Sequence, residues 1–598
     1  FSVLKEKYMN INIKQMRRDV RKNIYTNKFN FYIKAVFLQL ILSAIGSFLI
    51  RFVFRLILIS CGLENLNIDN FFELFDNPLS IILLIMLFLL ISILIFIEFS
   101  ALTLMVYLSY NDGLFSWSKN IKTAFMKWKK LQIRQLFFFI IYFILMIPVS
   151  NLGLSSIFSE KLKIPDFITG EIAKTNIGRI SLWILGFICA YANLRLIFSI
   201  PLTIINDDTF FANMKKSINM TKKGKLKFLA LLGTLQIIIL TISSVSIILL
   251  ALGFNLIDKS GNIPLYNTIF YTIMRIIIFF FVAITKLTII SVIVKVIMEQ
   301  EDFSLDIKYK RDDKIKKRKI FAGILSFTLI ITLGHEGYQM FSEPLNEQIL
   351  VIAHRGYTQN AVENSIEALE AASKAGADYV EVDILLTKDN KFVVMHDFNL
   401  KRLAGLNKKV QDMNYDEVVG LIIKQGKFKS KIPSFEEFVK KAKDLNIKLL
   451  VELKPHGGEP DNYVDIFIEE MKRLDVEKSY KVMSLDLNVM EELEEKDSQI
   501  ETGYVIPMQF GTFGQTNVDF FAIENFSYND ILNFQAKNED KEVFVWTIND
   551  IDLMGKYIHK GISAIITDHP NVLKEEIEYA KMNNSYLEKL YRLLDTGF

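Results

Sequence analysis

Cysteine is scarce: there are two in 598 residues, Cys61 and Cys189, both in or beside apolar runs. That excludes a CxxC metal site and a disulfide framework, and leaves two thiols packed among apolar neighbours. Net charge is also small, at +4 with 70 basic and 66 acidic residues. It averages an apolar N-terminal half with basic links and a C-terminal part of mixed charge, so nothing points to a nucleic-acid partner. No short apolar stretch followed by a small-residue cleavage site precedes the first long apolar run, which is therefore expected to stay in the protein. What the chain has in excess is hydrophobicity. At 51% apolar residues and a mean hydropathy of +0.28 it is too oily for an ordinary soluble enzyme of this length.

Runs of about 20 apolar residues are long enough to cross a bilayer. They occur at Tyr32 to Leu58, Leu79 to Met105, Leu136 to Leu154, Ile180 to Ile205, Phe228 to Phe254 and Thr268 to Met298, with a shorter one at Ile320 to Leu333. Basic links resist translocation, so lysine and arginine bias predicts orientation. Lys14, Arg17, Arg18, Arg21 and Lys22 precede the first run, and Lys119 to Lys130, Lys215 to Lys227 and Lys308 to Lys319 fill the even-numbered links. These read as cytoplasmic. The first link holds Glu64, Asp69, Glu73 and Asp76 without lysine or arginine, the third is mixed, and the fifth is a short Asp-Lys-Ser-Gly-Asn turn, and these read as outside. With seven crossings starting inside, everything after Leu333 is expected outside the cell. The resulting organisation is an N-terminal polytopic α-helical membrane domain over residues 1–335 and a second domain over 345–598.

From Ile349 the pattern becomes short β-rich runs separated by helical ones, which predicts an α/β barrel of the TIM type, (β/α)₈. The strand candidates are Ile349 to His354, Tyr379 to Leu385, Phe392 to His396, Lys448 to Lys454, Tyr480 to Leu485, Glu501 to Ile506, Asp519 to Ile523, Val543 to Ile548 and Ala564 to Thr567. That is nine for eight places, and one of the two between Glu501 and Ile523 is expected to fall outside the barrel. In such a barrel the active site gathers at the C-terminal strand ends. His354-Arg355-Gly356, Glu381 with Asp383, His396-Asp397, and Glu452 with Lys454 all sit there. Period-two alternation puts Glu381 and Asp383 on one face, and likewise Glu452 and Lys454. Hard carboxylate oxygens favour Ca²⁺ or Mg²⁺ over softer metals.

Taken in order, Ile352-Ala353-His354-Arg355-Gly356, Glu363-Asn364-Ser365, Glu381-Val382-Asp383, His396-Asp397, Glu452-Leu453-Lys454, Trp546-Thr547 and Thr567-Asp568-His569-Pro570 resemble the successive motifs of the glycerophosphoryl diester phosphodiesterase family. The apolar first part is similar, in architecture, to the membrane domain that accompanies this catalytic domain in some bacterial members. Ser365 stands where the family usually has threonine, which keeps a hydroxyl cap. The resemblance implies hydrolysis of glycerophosphodiesters to glycerol phosphate and an alcohol. It also implies Glu381, Asp383 and Glu452 as ligands of a divalent ion, and His354 and His396 as the general base and acid, in that order or the reverse. Arg355 and Lys454 would supply positive charge to the phosphate, and Trp546 would line the pocket. Glu363 would order the site or merely favour a helix N-terminus. The segment Asp397 to Lys431 matches an insertion that in the family lies beside the barrel mouth and receives glycerol.

Membrane anchoring makes lipid-derived substrates, or a surface glycerol-phosphate polymer, the expected targets at the bilayer. Two alternatives remain open at this point. One is a phospholipase D-like or lyase activity on lysolipids. The other is a transporter or sensor with a binding-only barrel, suggested by Arg51, Arg55, Glu98, Arg195, Arg275 and Lys286 within the apolar runs, where charge is costly; several of these lie close enough to span ends to snorkel, or could pair, as Glu98 with an arginine.

Overall fold

In hydrocarbon a backbone has to satisfy its own N–H and C=O groups, and the long apolar runs among the described residues do so as helices. The computed structural model describes residues 11–63, 65–66, 71–111, 117–129, 166–173, 175–206, 208–259, 261, 263–300, 349–581 and 585–595. Among these, five helices are long and apolar enough to cross a membrane: Ile33–Cys61, Pro78–Tyr110, Asn176–Ile205, Lys225–Ile257 and Leu265–Gln300. They take in five of the expected runs. Those at Leu136 to Leu154 and Ile320 to Leu333 lie outside the described residues. Two helix starts follow local chemistry: Asn77 accepts from Leu79 N with proline next in the chain, and Thr175 accepts from Gly178 N.

By contact the chain divides into two units. One comprises Phe1–Cys61, Leu74–Ile257 and Leu265–Glu336, and the other Gly62–Glu73, Asp258–Pro264 and Gly337–Phe598. Inside the first, Glu98 meets Lys286, at 2.8 Å, with 0% and 7% of the side chains exposed. This corrects the expected arginine partner. Either charge alone would be expensive among apolar neighbours, and the pair offsets that cost. On the same two helices, Tyr110 and Ser291 hydroxyls lie 2.8 Å apart, and Ser291 also meets Tyr32 at 3.2 Å. Asn23 donates to Tyr32 Oη and to Ser109 Oγ, which completes a buried polar network.

The second unit is built on the strands β1 (Leu350–Ala353), β2 (Tyr379–Leu386), β3 (Phe392–Val394), β4 (Ile422–Gln425), β5 (Phe428–Lys431), β6 (Lys448–Leu453), β7 (Lys481–Ser484), β8 (Glu501–Ile506), β9 (Phe520–Glu524), β10 (Glu542–Trp546) and β11 (Ala564–Thr567). Eight of them run parallel in the order β1-β11-β10-β9-β8-β7-β6-β2, and β1 pairs back to β2, which closes the barrel. Both strands between Glu501 and Glu524 belong to it. The strand left out is β3, antiparallel to β2. Residues 387–391 that join them are too few for a parallel crossover, which takes about a dozen. The small hairpin β4–β5 stands apart. Also within this unit, Asn65–Leu66 pairs antiparallel with Phe510–Gly511, and Tyr586 Oη donates to Asp258.

Ile352, Leu450, Met483, Phe520, Phe544 and Ile566 form one apolar layer, while a larger one including Val351, Val380, Val451, Phe467 and Leu573 lies between strands and helices. Glu452 is level with Met483 on one side and with Asp383 on the other, so the carboxylates share the register of the smaller layer. Gly503 on β8 is there because a Cβ would fall 2.1 Å from the Phe520 ring, itself stacked on Phe544 at 4.4 Å. Gly503→Ala is therefore expected to destabilise the barrel by about 1–3 kcal/mol, read as a lower unfolding midpoint; an unchanged midpoint would contradict this packing.

Candidate active site

The left-handed residue Arg355 follows β1 and His354, with φ of 57°. That conformation turns its peptide N–H onto Glu381 Oε2 at 2.7 Å. Gly356 comes next at φ of 82°, where a Cβ would sit 2.7 Å from Ala368. Asn364, also left-handed at 56°, donates to Asp383 Oδ2 at 2.7 Å and accepts from Asp383 N at 3.2 Å. The sequence Glu363-Asn364-Ser365 thus ends a turn and starts a helix, since Ser365 Oγ accepts from Ala368 N.

Glu381 and Asp383, each 1% exposed, project from β2, and Glu452 from β6. Ligand oxygens of the three lie within 4.8 Å of one another. Lys454 Nζ is 3.3 Å from Asp383 and 3.5 Å from Glu452, and Arg355 Nε is 3.4 Å from Asp383. Burial pushes the Glu381 carboxyl well up, and the charges of Asp383 and Glu452 add to it. Burial works the same way on Asp383, but Lys454, His396 and Arg355 outweigh it and hold that group well below its usual range. The Lys454 ammonium is disfavoured by burial yet raised overall by Glu452 and Asp383. Glu381 Oε1 and Asp383 Oδ1 are buried and accept no hydrogen bond among the described residues. Hard oxygen donors, crowded and with lone pairs unspent, fit a divalent cation.

Both candidate histidines are backed by an aspartate. His354 Nδ1 donates to Asp568 Oδ1 at 2.8 Å, and Asn549 Nδ2 holds the other oxygen at 2.6 Å. His396 Nδ1 donates to Asp397 Oδ1 at 2.9 Å. Burial favours protonated Asp568 and Asp397, but their histidines, with Asn549 for the first and Arg402 for the second, overcome it and keep both ionised. An ionised carboxylate can only accept, so each Nδ1 carries the hydrogen and each Nε2 is left for proton transfer. Burial also lowers the basicity of His396.

Glu363, 2% exposed, receives Arg355 at 3.3 Å, Arg402 at 2.5 and 2.9 Å and Gln425 at 3.0 Å. Its carboxylate is engaged by protein donors. Trp546 ends β10 and donates from Nε1 to Ala522 O at 2.9 Å. The insertion after Asp397 has its own core of Leu400, Leu403, Val410, Met413 and Ile423 against Val393 and Met395. Asp568, Asn549, Asn364 and Arg402 were not singled out from the sequence. Asp568 stood in the quoted motif beside Thr567, whereas Arg402 carried no signal beyond its place five residues after Asp397. His456, His559 and His569 lie outside the carboxylate cluster, and His335 outside the described residues.

Both parts of the chain are similar to known proteins. Residues 18–335 match the membrane domain of glycerophosphoryl diester phosphodiesterase, and residues 354–572 the glycerophosphoryl diester phosphodiesterase family. A glycerophosphodiester phosphodiesterase of Caldanaerobacter subterraneus is 28% identical over 232 residues, 38% of this chain and 96% of that one. Lysophospholipase D GDPD1 of Homo sapiens is 43% identical over 67 residues, 11% and 21% of the two chains. A solved glycerophosphodiester phosphodiesterase of Parabacteroides distasonis is 28% identical and covers 39% of this chain and 98% of its own, with a TM-score of 0.34. An Oleispira antarctica phosphodiesterase solved with sn-glycerol-3-phosphate is 21% identical, covering 40% and 99%, with a TM-score of 0.35. With the membrane-domain match alone spanning more than half of its length, the chain belongs to the glycerophosphoryl diester phosphodiesterase family and is a phosphodiesterase carrying its own membrane domain.

Proposed function

We propose that the barrel hydrolyses glycerophosphodiesters to glycerol phosphate and an alcohol, with Glu381, Asp383 and Glu452 holding a Ca²⁺ or Mg²⁺ ion and His354 and His396 moving the protons. The observation that carries this reading is the carboxylate trio, Glu381 and Asp383 buried and Glu452 half-buried, with unspent oxygens beside two aspartate-backed histidines. A bound ion would offset charge on a non-bridging phosphate oxygen. Arg355 and Lys454 bring fixed positive charge to the same place, where it stabilises the additional negative charge of the transition state.

In the reaction a water oxygen bonds to phosphorus as the bond from phosphorus to the alcohol oxygen breaks. One proton leaves the water for a histidine Nε2, and one passes from the other histidine to the departing oxygen. The same two transfers serve if a glycerol hydroxyl attacks first and water then opens a cyclic phosphate. Glu363 acts in this scheme through Arg355, by fixing the guanidinium. Trp546 borders the pocket for the glycerol or head group.

The barrel is placed outside the cell, on the far side of the membrane from the basic links. Two segments that group with it, Gly62–Glu73 and Asp258–Pro264, come from links that the charge pattern reads as external, which supports this orientation. Anchoring raises the effective concentration of substrates held in or on the same bilayer. The natural substrate is therefore taken to be lipid-derived or a glycerol-phosphate polymer of the cell surface. The lysophospholipase D match bears on the lipid case.

Two tests follow from these assignments. His354→Ala and His396→Ala should each lower turnover of an unactivated diester at least about a hundredfold. With a nitrophenyl leaving group, which needs no proton, the variant lacking the acid should recover and the other should not; equal losses on both substrates would remove the acid–base division. Protease added to intact cells stripped of any wall should release the barrel, whereas protection until the membrane is broken would contradict the orientation.

A further inference from the structure

Arg402 lies on the insertion, outside the barrel strands, and joins two groups that the sequence gives no reason to connect. Its Nε donates to Asp397 Oδ2 at 2.6 Å and its Nη2 to Asp397 Oδ1 at 3.0 Å, a bidentate fork. The same guanidinium reaches Glu363 through Nη1 at 2.9 Å and Nη2 at 2.5 Å. Asp397 holds His396 Nδ1, and Glu363 is tied to Arg355, whose backbone holds Glu381. Two side chains from the insertion therefore grip Glu363, Arg402 and Gln425, but only Arg402 also grips Asp397. Asp397 follows His396 directly in a loop, and its carboxylate meets His396 on one side and Arg402 on the other.

We propose that Arg402 is a positioning residue for the reaction: it clamps Asp397 onto His396 and anchors that dyad to the barrel through Glu363. The clamp keeps the hydrogen on Nδ1 and Nε2 open for proton transfer. Lysine cannot replace it, because an ammonium is a point charge without the planar fork that spans two carboxylates. The proposal rests on the reading that His396 moves a proton.

The experiment uses the full-length protein with a soluble glycerophosphodiester. Arg402→Ala should lower kcat about tenfold or more, the scale of groups that orient a reacting side chain, with KM and divalent-ion affinity unchanged. Arg402→Lys should recover little of the loss. Combined with Asp397→Asn or with His396→Ala, Arg402→Ala should add almost nothing, because the three act in one line. Gln425→Ala, which removes the other tie between insertion and Glu363, should leave kcat within about twofold. An unchanged kcat in Arg402→Ala, losses that multiply with those of Asp397→Asn, or an equal loss in Gln425→Ala would overturn the clamp. If His396→Ala itself turns over normally, the acid–base reading fails instead, which separates the two.

Discussion

Three carboxylates crowded within 4.8 Å, Glu381 and Asp383 buried and Glu452 half-buried, repel one another, and the barrel mouth is organised around offsetting that repulsion. Lys454 and Arg355 sit against Asp383, Asn364 spends both ends of its amide on it, and the Arg355 backbone bends into a left-handed conformation to reach Glu381. Such a conformation is uncommon for a residue with a side chain, and its cost is small beside that of an unpaired buried carboxylate. Even so, Glu381 is pushed up toward its neutral form, its Oε1 accepts no hydrogen bond among the described residues, and Asp383 Oδ1 has only the Lys454 ammonium, 3.3 Å away, beside it. A site balanced in this way is poised for a cation, which is the physical basis of the proposed chemistry.

The histidines depend on the same arrangement one step further out. Each is turned by an aspartate, and each aspartate is kept ionised by its histidine together with further groups, Asn549 and Arg355 in one case and Arg402 in the other. The two dyads are built from different parts of the unit: Asp568 follows β11, whereas Asp397 begins the insertion. The insertion thus reaches the chemistry through Arg402 as well as standing beside the mouth.

Much of the site was legible because its periods are local. Glu381 and Asp383 share a face by alternation alone, and each histidine abuts its strand end. The strand count failed at β3 because apolar alternation marks a strand without saying which neighbour it takes; the short link of residues 387–391 was the overlooked signal. Arg402 was not legible, since its importance comes from two partners 5 and 39 positions away, brought together only by the fold. Lys286 as the partner of Glu98 is similar: the two are 188 residues apart, and nothing in either helix favoured a lysine over the arginines nearby. Among the described residues five of the expected apolar runs form long helices, legible because backbone self-satisfaction in hydrocarbon leaves few alternatives.

We propose that Glu381, Asp383 and Glu452 bind one divalent ion on which turnover depends. Titration of metal-stripped full-length protein with Mn²⁺, followed by the paramagnetic signal of the free ion, tests it directly. One tight site per chain is expected, displaced by Ca²⁺ or Mg²⁺, lost in Glu381→Gln and Asp383→Asn, and filled in parallel with the return of glycerophosphodiester hydrolysis. Full hydrolysis by protein that binds no ion, or an undiminished site in those variants, would contradict it.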